Sequence, residues 1–469
     1  MCWAGWTVTL LAFQARPAPP TLAVGQVLEQ VACEADPTQT YALYLPSGYT
    51  AEKRWPIVYA FDPLARGAVP VRLYKDVAEK YGFVLAGSNN SRNFSLANSV
   101  KSANAVWRDT RTRLSLDTRR TYTTGFSGGA RIAGLIAVRC SQCQIAGVIA
   151  HGAGYPDGLK SPEEGRTLYF LAVGDQDFNW AEVITVREQR EDLGMPYRVR
   201  VFPGGHQWAP PSIMDDALRW MTLKAMQSGS TPPDAAFIEQ FFQGTVKEAE
   251  EAERGNDAIG QLSAYRSLVS DFHGLKNVGE YETKLAALKS SASLKAALKN
   301  EQGQIAEQKR LQDEISPQLS DVADADVDGQ VKLRNAISQG MARLKDGAEH
   351  SKSDEKRLIF SRALKGLSMQ GVEAGQSAFE EKHFERAEIY FQLMSECSDD
   401  PWPSLLLAET RLAMGNKKQA IRDIREVVRR GLKNPDVLEK DSRLQSLNSD
   451  PEFQKILTEL RAKRTTWSR

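Results

Sequence analysis

The chain has 469 residues, more than one ordinary hydrophobic core accommodates, so two or three domains are expected. With 42% hydrophobic and 25% charged residues it reads as globular, which excludes wholesale disorder. A formal net charge of +1 gives no global field for recruiting nucleic acid or an anionic membrane, and no run of about 18 apolar residues offers a permanent membrane span.

The first stretch, residues 1–22, holds a short apolar run, WTVTLLAF (6–13), followed by QARPAPP. It resembles the apolar segment of a secretory signal, although no Lys or Arg precedes it and no small-x-small cleavage site stands out. Export to the periplasm or outside the cell is the expectation; a disordered tail on a cytoplasmic protein is the alternative.

Residues 23–228 alternate two patterns. Apolar and β-branched runs at 39–45, 57–61, 83–88, 121–125, 145–150, 168–173 and 197–202 read as strands bounded by Gly, Pro or Asp. Helical patterns at 71–81, 96–114, 130–140, 181–193 and 213–226 fall between them. Near-continuous apolar strands alternating with helices predict a mostly parallel α/β sheet covered on both faces. Cys140 and Cys143 form C-S-Q-C at the end of the third helix. A second Cys pair for a four-ligand zinc site is missing, and a redox dithiol would open a helix rather than close one. The pair reads as a local disulfide, with two buried thiols as the alternative, and neither metal nor cofactor is expected.

After a Ser/Thr/Pro-rich linker at 229–234 the pattern becomes helical, in a region 235–370 and a further unit 371–469. Segments 383–401 and 416–435 align at an offset of 33, placing Ala387 over Ala420 and Phe391 over Ile424. A small residue where two helices cross, a bulky one four positions on, and a Pro-ended helix resemble the tetratricopeptide repeat. An irregular helical bundle is the alternative. The resemblance implies a stacked surface for a protein partner or substrate.

The chemistry gathers around GFSGG (125–129), which sits between a strand and a helix. A serine on such a turn is lifted clear of the sheet on a strained backbone, and Gly125 and Gly129 remove side chains that would strike neighbouring elements. The helix start aims backbone N–H groups, Gly128 first, at a developing oxyanion. Ser127 then needs a base. Of five histidines, His206 lies in a Gly-rich loop after the last strand, whereas His151 ends a strand and the others fall in the helical half. His206 is preferred over His151. The acid is expected after another strand, in GDQD (174–177): Asp177 is preferred, with Asp175 shaping the turn as the competing assignment.

The order Ser127, Asp177, His206 resembles the α/β-hydrolase superfamily, on YALYLPSGYTAEKRWPIVYAF (41–61), GFSGG, GDQD and GGHQW (204–208). The resemblance spans about residues 39–226 and is nearest to secreted esterases around polyhydroxybutyrate depolymerases, feruloyl esterases and dienelactone hydrolases. It implies an acyl transfer in which Ser127 attacks an ester carbonyl, His206 carries the proton, and water releases the acid. Such relatives carry a His-Gly run after the strand preceding the first helix, and this chain has AFDPLARG (60–67) instead. Pro63 has no N–H, so the second oxyanion donor is assigned to Leu64, and Arg66 is available to Asp62 or to an anionic group. Phe126, Asn89 and Trp208 are the candidate substrate contacts, with Asn90 and Arg92 in the same polar loop as Asn89. The expected substrate is a small or polymeric ester. A catalytically degenerate scaffold and a serine peptidase are the competing functions, because one triad serves both esters and amides.

Overall fold

The computed structural model describes residues 22–156 and 167–467, with side chains as far as residue 462; the apolar run at 6–13 lies outside them. Eight strands form one sheet: β1 Val27–Ala32, β2 Thr40–Tyr44, β3 Trp55–Phe61, β4 Val84–Ser88, β5 Leu116–Phe126, β6 Ile145–His151, β7 Leu168–Gly174 and β8 Tyr197–Phe202. Their spatial order is β1-β2-β4-β3-β5-β6-β7-β8. β2 runs antiparallel to both neighbours, and every pairing from β4 to β8 is parallel. β3 and β4 are buried at every position, because helices cover both faces of the sheet.

Helices α1 Ala68–Tyr81 and α5 Pro211–Gln227 pack on one face of the sheet. On the other lie α2 Leu96–Arg113, α3 Gly128–Arg139 and α4 Trp180–Asp192. This order, handed from strand to helix to parallel strand, is the α/β-hydrolase fold, and it lines the loops after β3, β4, β5, β7 and β8 along one rim. The sequence reading omits β1. Its run VLEQVA exposes Glu29, Gln30 and Ala32 at the sheet edge and carries an irregular register against β2, so the two-residue alternation that marks a strand is broken.

Cys140 and Cys143 are joined in a disulfide just beyond α3, while Cys33 and Cys397 are free. Among the described residues no helix is long and apolar enough to cross a membrane, and no group of three or more His, Cys, Asp or Glu side chains could hold a metal ion.

The remaining chain is helical: α6 Ala235–Arg254, α7 Ala258–Phe272, α8 Gly279–Ser290, α9 Ala292–Asp313, α10 Ser316–Asp321 and α11 Val327–His350. Then follow α12 Asp354–Glu380, α13 Phe384–Cys397, α14 Pro401–Ala413, α15 Lys417–Arg429, α16 Asp436–Glu439 and α17 Pro451–Trp467. The linker separates elements without separating cores. Phe241 of α6, Leu268 and Phe272 of α7 and Leu294 of α9 belong to the same apolar cluster as α1 and α5. A buried ionic knot crosses that border: Arg198 on β8 holds Asp216 of α5 at 3.1 Å and Asp271 of α7 at 3.0 Å. Asp271 also accepts from the Trp220 indole at 2.9 Å and meets Lys224 at 2.9 Å. Helices α11 to α14 and α14 to α17 build two further clusters. Ala387, Ala420, Phe391 and Ile424, the residues matched at the 33-residue offset, are all buried. Ala387 and Phe391 lie on α13 and Ala420 and Ile424 on α15, and both helices pack against α14.

Candidate active site

β5 runs into α3 through Ser127, whose backbone takes φ 55° and ψ −125°, a conformation L residues adopt only under strain. The neighbours enforce it. A Cβ on Gly125 would fall on the carbonyl of Gly129, and one on Gly129 would fall on the carbonyl of Phe61, so strand, turn and helix approach at backbone contact. The Ser127 amide donates to the carbonyl of His151 at 2.9 Å, which fixes the turn to β6.

His206 reaches the serine from the loop after β8, with Nε2 2.9 Å from Ser127 Oγ. Its Nδ1 faces Asp177, 2.9 Å from Oδ1 and 3.0 Å from Oδ2. Asp177 is fully buried and also accepts from the amide of Asn179 at 2.8 Å, so its carboxylate cannot swing away. The imidazole is held between two rings, Phe126 at 4.5 Å and Phe178 at 4.2 Å between centroids. Asp177 and His206, preferred from the sequence over Asp175 and His151, are the pair brought to Ser127. Asp175 instead accepts from the amide of Gly204 at 2.9 Å and ties the β7 turn to the β8 turn.

His151 is a core residue. Its ring lies on Tyr74 and Trp208, its Nε2 pairs with Thr124 Oγ1 at 3.1 Å, and complete burial pushes its pKa down to about 3. An imidazole neutral when folded and basic when unfolded makes acid destabilising: the unfolded chain binds the extra proton below its own pKa of about 6.5. Stability is therefore expected to fall as pH drops from about 6.5 towards 3, and His151→Gln should flatten that part of a plot of melting temperature against pH. An unchanged slope would show that another group governs it.

Three expectations need correction. The amide of Leu64 donates to Asp62 Oδ1 at 2.9 Å, so it is spent inside its own turn and is not an oxyanion donor. Asp62, buried, accepts in addition from Arg66 Nε at 2.9 Å and Trp208 Nε1 at 3.0 Å, which neutralises the charge beside the site. The Asn89 side chain points away from Ser127, donating to the Glu29 carbonyl at 2.9 Å and to Thr40 Oγ1. Trp208 is 9% exposed, its indole N–H committed to Asp62 and its ring 5.8 Å from Phe126, so it backs the site and has little surface for substrate.

Two site residues were not singled out in the sequence. Asn93, in the loop after β4, lies so close to Gly128 that a Cβ there would strike its carboxamide. Phe178, next to Asp177 in the sequence, packs its ring at a tilt against His206. A third contact comes from far along the chain: Arg362 of α12, buried, donates through Nε to the carbonyl of Asp175 at 2.8 Å and lies over the Trp180 ring at 4.0 Å. Gln308 of α9 donates to the carbonyl of Phe178 at 2.8 Å. Nothing in either helical stretch marks these two residues, because their partners are 187 and 130 positions away.

No family model matches the chain, and no curated protein matches it. Among solved structures, a fluorophosphonate-binding serine hydrolase of Staphylococcus aureus is 14% identical, with a TM-score of 0.34 over 42% of this chain and 99% of its own. A feruloyl esterase module from Clostridium thermocellum, complexed with sinapinate, is 18% identical, with a TM-score of 0.35 over 43% of this chain and 92% of its own. A hyperthermophilic esterase from Pyrobaculum calidifontis is 10% identical, with a TM-score of 0.35 over 44% of this chain and 87% of its own.

Proposed function

We propose that the chain is a serine hydrolase that cleaves carboxylic esters through Ser127, His206 and Asp177. One observation carries the reading: an unbroken hydrogen-bonded line from Ser127 Oγ through both ring nitrogens of His206 to a buried Asp177 carboxylate. In that geometry His206 Nε2 takes the hydroxyl proton as Oγ attacks the ester carbonyl. Asp177 holds the tautomer with the proton on Nδ1 and stabilises the imidazolium. The imidazolium then protonates the leaving alcohol. A water molecule, deprotonated by the same nitrogen, releases the acid from the acyl-enzyme.

The negative oxygen of the tetrahedral intermediate would meet the Gly128 amide, one of the first-turn N–H groups that α3 cannot pair internally. With Leu64 occupied, Nδ2 of the Asn93 carboxamide beside Gly128 is the second donor in this reading. Helices α13 to α15 would form a tetratricopeptide-like surface for a protein partner. The Cys140–Cys143 disulfide favours a protein matured in an oxidising compartment, in keeping with export.

A fluorophosphonate probe should label the purified full chain at Ser127, and the label should vanish in Ser127→Ala. Well-folded wild type that takes no label would replace this reading with a non-catalytic scaffold. Parallel assays with p-nitrophenyl butyrate and an aminoacyl anilide separate esterase from peptidase, and faster turnover of the anilide would overturn the ester assignment.

A further inference from the structure

Helix α12 crosses the rim of the sheet where Ser127 stands. Near one end Arg362 binds the Asp175 carbonyl, and the position a Cβ would take on Gly366 is 3.6 Å from the Phe178 Cβ. At its other end Glu380 pairs with Arg92, 3.6 Å away, in the loop that also brings Asn93 to Gly128. Arg443 anchors Glu380 from behind at 2.8 Å. The first contact lies on the loop after β7 and the second on the loop after β4, four strand spacings apart, which amounts to about 19 Å. From residue 366 to residue 380 an α-helix rises about 21 Å. The helix therefore bridges the two loops, and β5, with Ser127 at its end, lies between them.

Helical geometry determines which side chains face the gap. At 100° per residue, Met369, Glu373 and Gln376 fall within about 40° of the line that joins Arg362 to Glu380. The opposite side of α12, with Leu367 and Ala378, is buried in the helical core. Along the facing stripe burial is incomplete: Met369 and Gln376 are half-buried and Glu373 is exposed. On the sheet side of the rim, Leu64 and Phe94 are large apolar side chains left 47% and 40% exposed.

We infer that Met369, Glu373 and Gln376 of α12 form the outer wall of the substrate cleft over Ser127, and that this wall limits the length of an apolar acyl chain. The inference rests on the ester-hydrolase reading. The ligand class is an ester whose acyl arm is aliphatic or aromatic and narrow enough to lie between a helix and the rim loops. The Leu64, Phe94 and Phe178 side chains supply the apolar floor, and the Met369 thioether adapts to the arm from above.

The test compares kcat/KM for p-nitrophenyl acetate, butyrate and octanoate across full-length variants. Glu373→Trp, checked for an unchanged melting temperature, should lower the octanoate-to-acetate ratio about tenfold, the scale on which pockets distinguish chains by a methylene. Met369→Ala should raise the same ratio several-fold. Both ratios within twofold of wild type would remove the wall while leaving the hydrolase intact. A wild type that neither turns over any of the three esters nor takes label at Ser127 would overturn the hydrolase reading, and this inference with it.

Discussion

Replacing Ser127 or His206 by alanine should cost at least about 10⁴-fold in kcat on p-nitrophenyl butyrate, and the double variant should lose no more than either single one. The non-additivity follows from the 2.9 Å contact between Nε2 and Oγ: once the hydroxyl is gone the base has nothing to deprotonate, and without the base the hydroxyl stays protonated. Asp177→Asn should cost about 10⁴-fold through a different route. Its amide nitrogen would face Nδ1, force the proton onto Nε2, and so point a donor at Ser127 where an acceptor is needed. The backbone contact from Asn179 would persist, so the loss should come with an unchanged melting temperature. Losses that simply add between Ser127→Ala and His206→Ala would sink the relay.

The second large effect is on stability, at the border between sheet and helices. Asp271→Ala should cost about 3 kcal/mol, because Lys224 would lose its carboxylate and Arg198 would keep only Asp216. Asp271→Asn should cost less, since its amide oxygen still accepts from Trp220. Burial opposes the charge on Asp271, but Arg198 and Lys224 outweigh it and hold its pKa below the ordinary carboxylate range. The sign follows: this contribution is complete above the unfolded value of about 3.9 and is lost as pH falls below it. Denaturant titration at pH 7 and pH 3 checks both parts. An alanine variant within 1 kcal/mol of wild type at pH 7 would show that the knot adds nothing net.

The parts of the site that could be read from the sequence are those dictated by backbone sterics. GFSGG announces its turn because no other residues fit where Gly125 and Gly129 meet neighbouring carbonyls. His206 and Asp177 follow from the rule that reactive groups sit on loops beyond the carboxyl ends of parallel strands. Leu64 failed for a reason that was legible: an Asp two residues before an amide commonly captures it in an Asx turn, as Asp62 does here. Asn89 and Asn93 share one polar loop, and only its three-dimensional path decides which faces Gly128. Arg362 carries no local mark at all. A basic residue on an amphipathic helix is usually solvated, and its burial against Trp180 depends on how two distant segments dock.

That docking makes the acid's loop depend on residues far along the chain. Every atom proposed to touch the acyl carbon is in place within the first 206 residues, yet the loop bearing the acid is braced by side chains at 308 and 362. A chain cut before residue 308 would keep Ser127, Asp177 and His206 and lose both braces on the acid's loop.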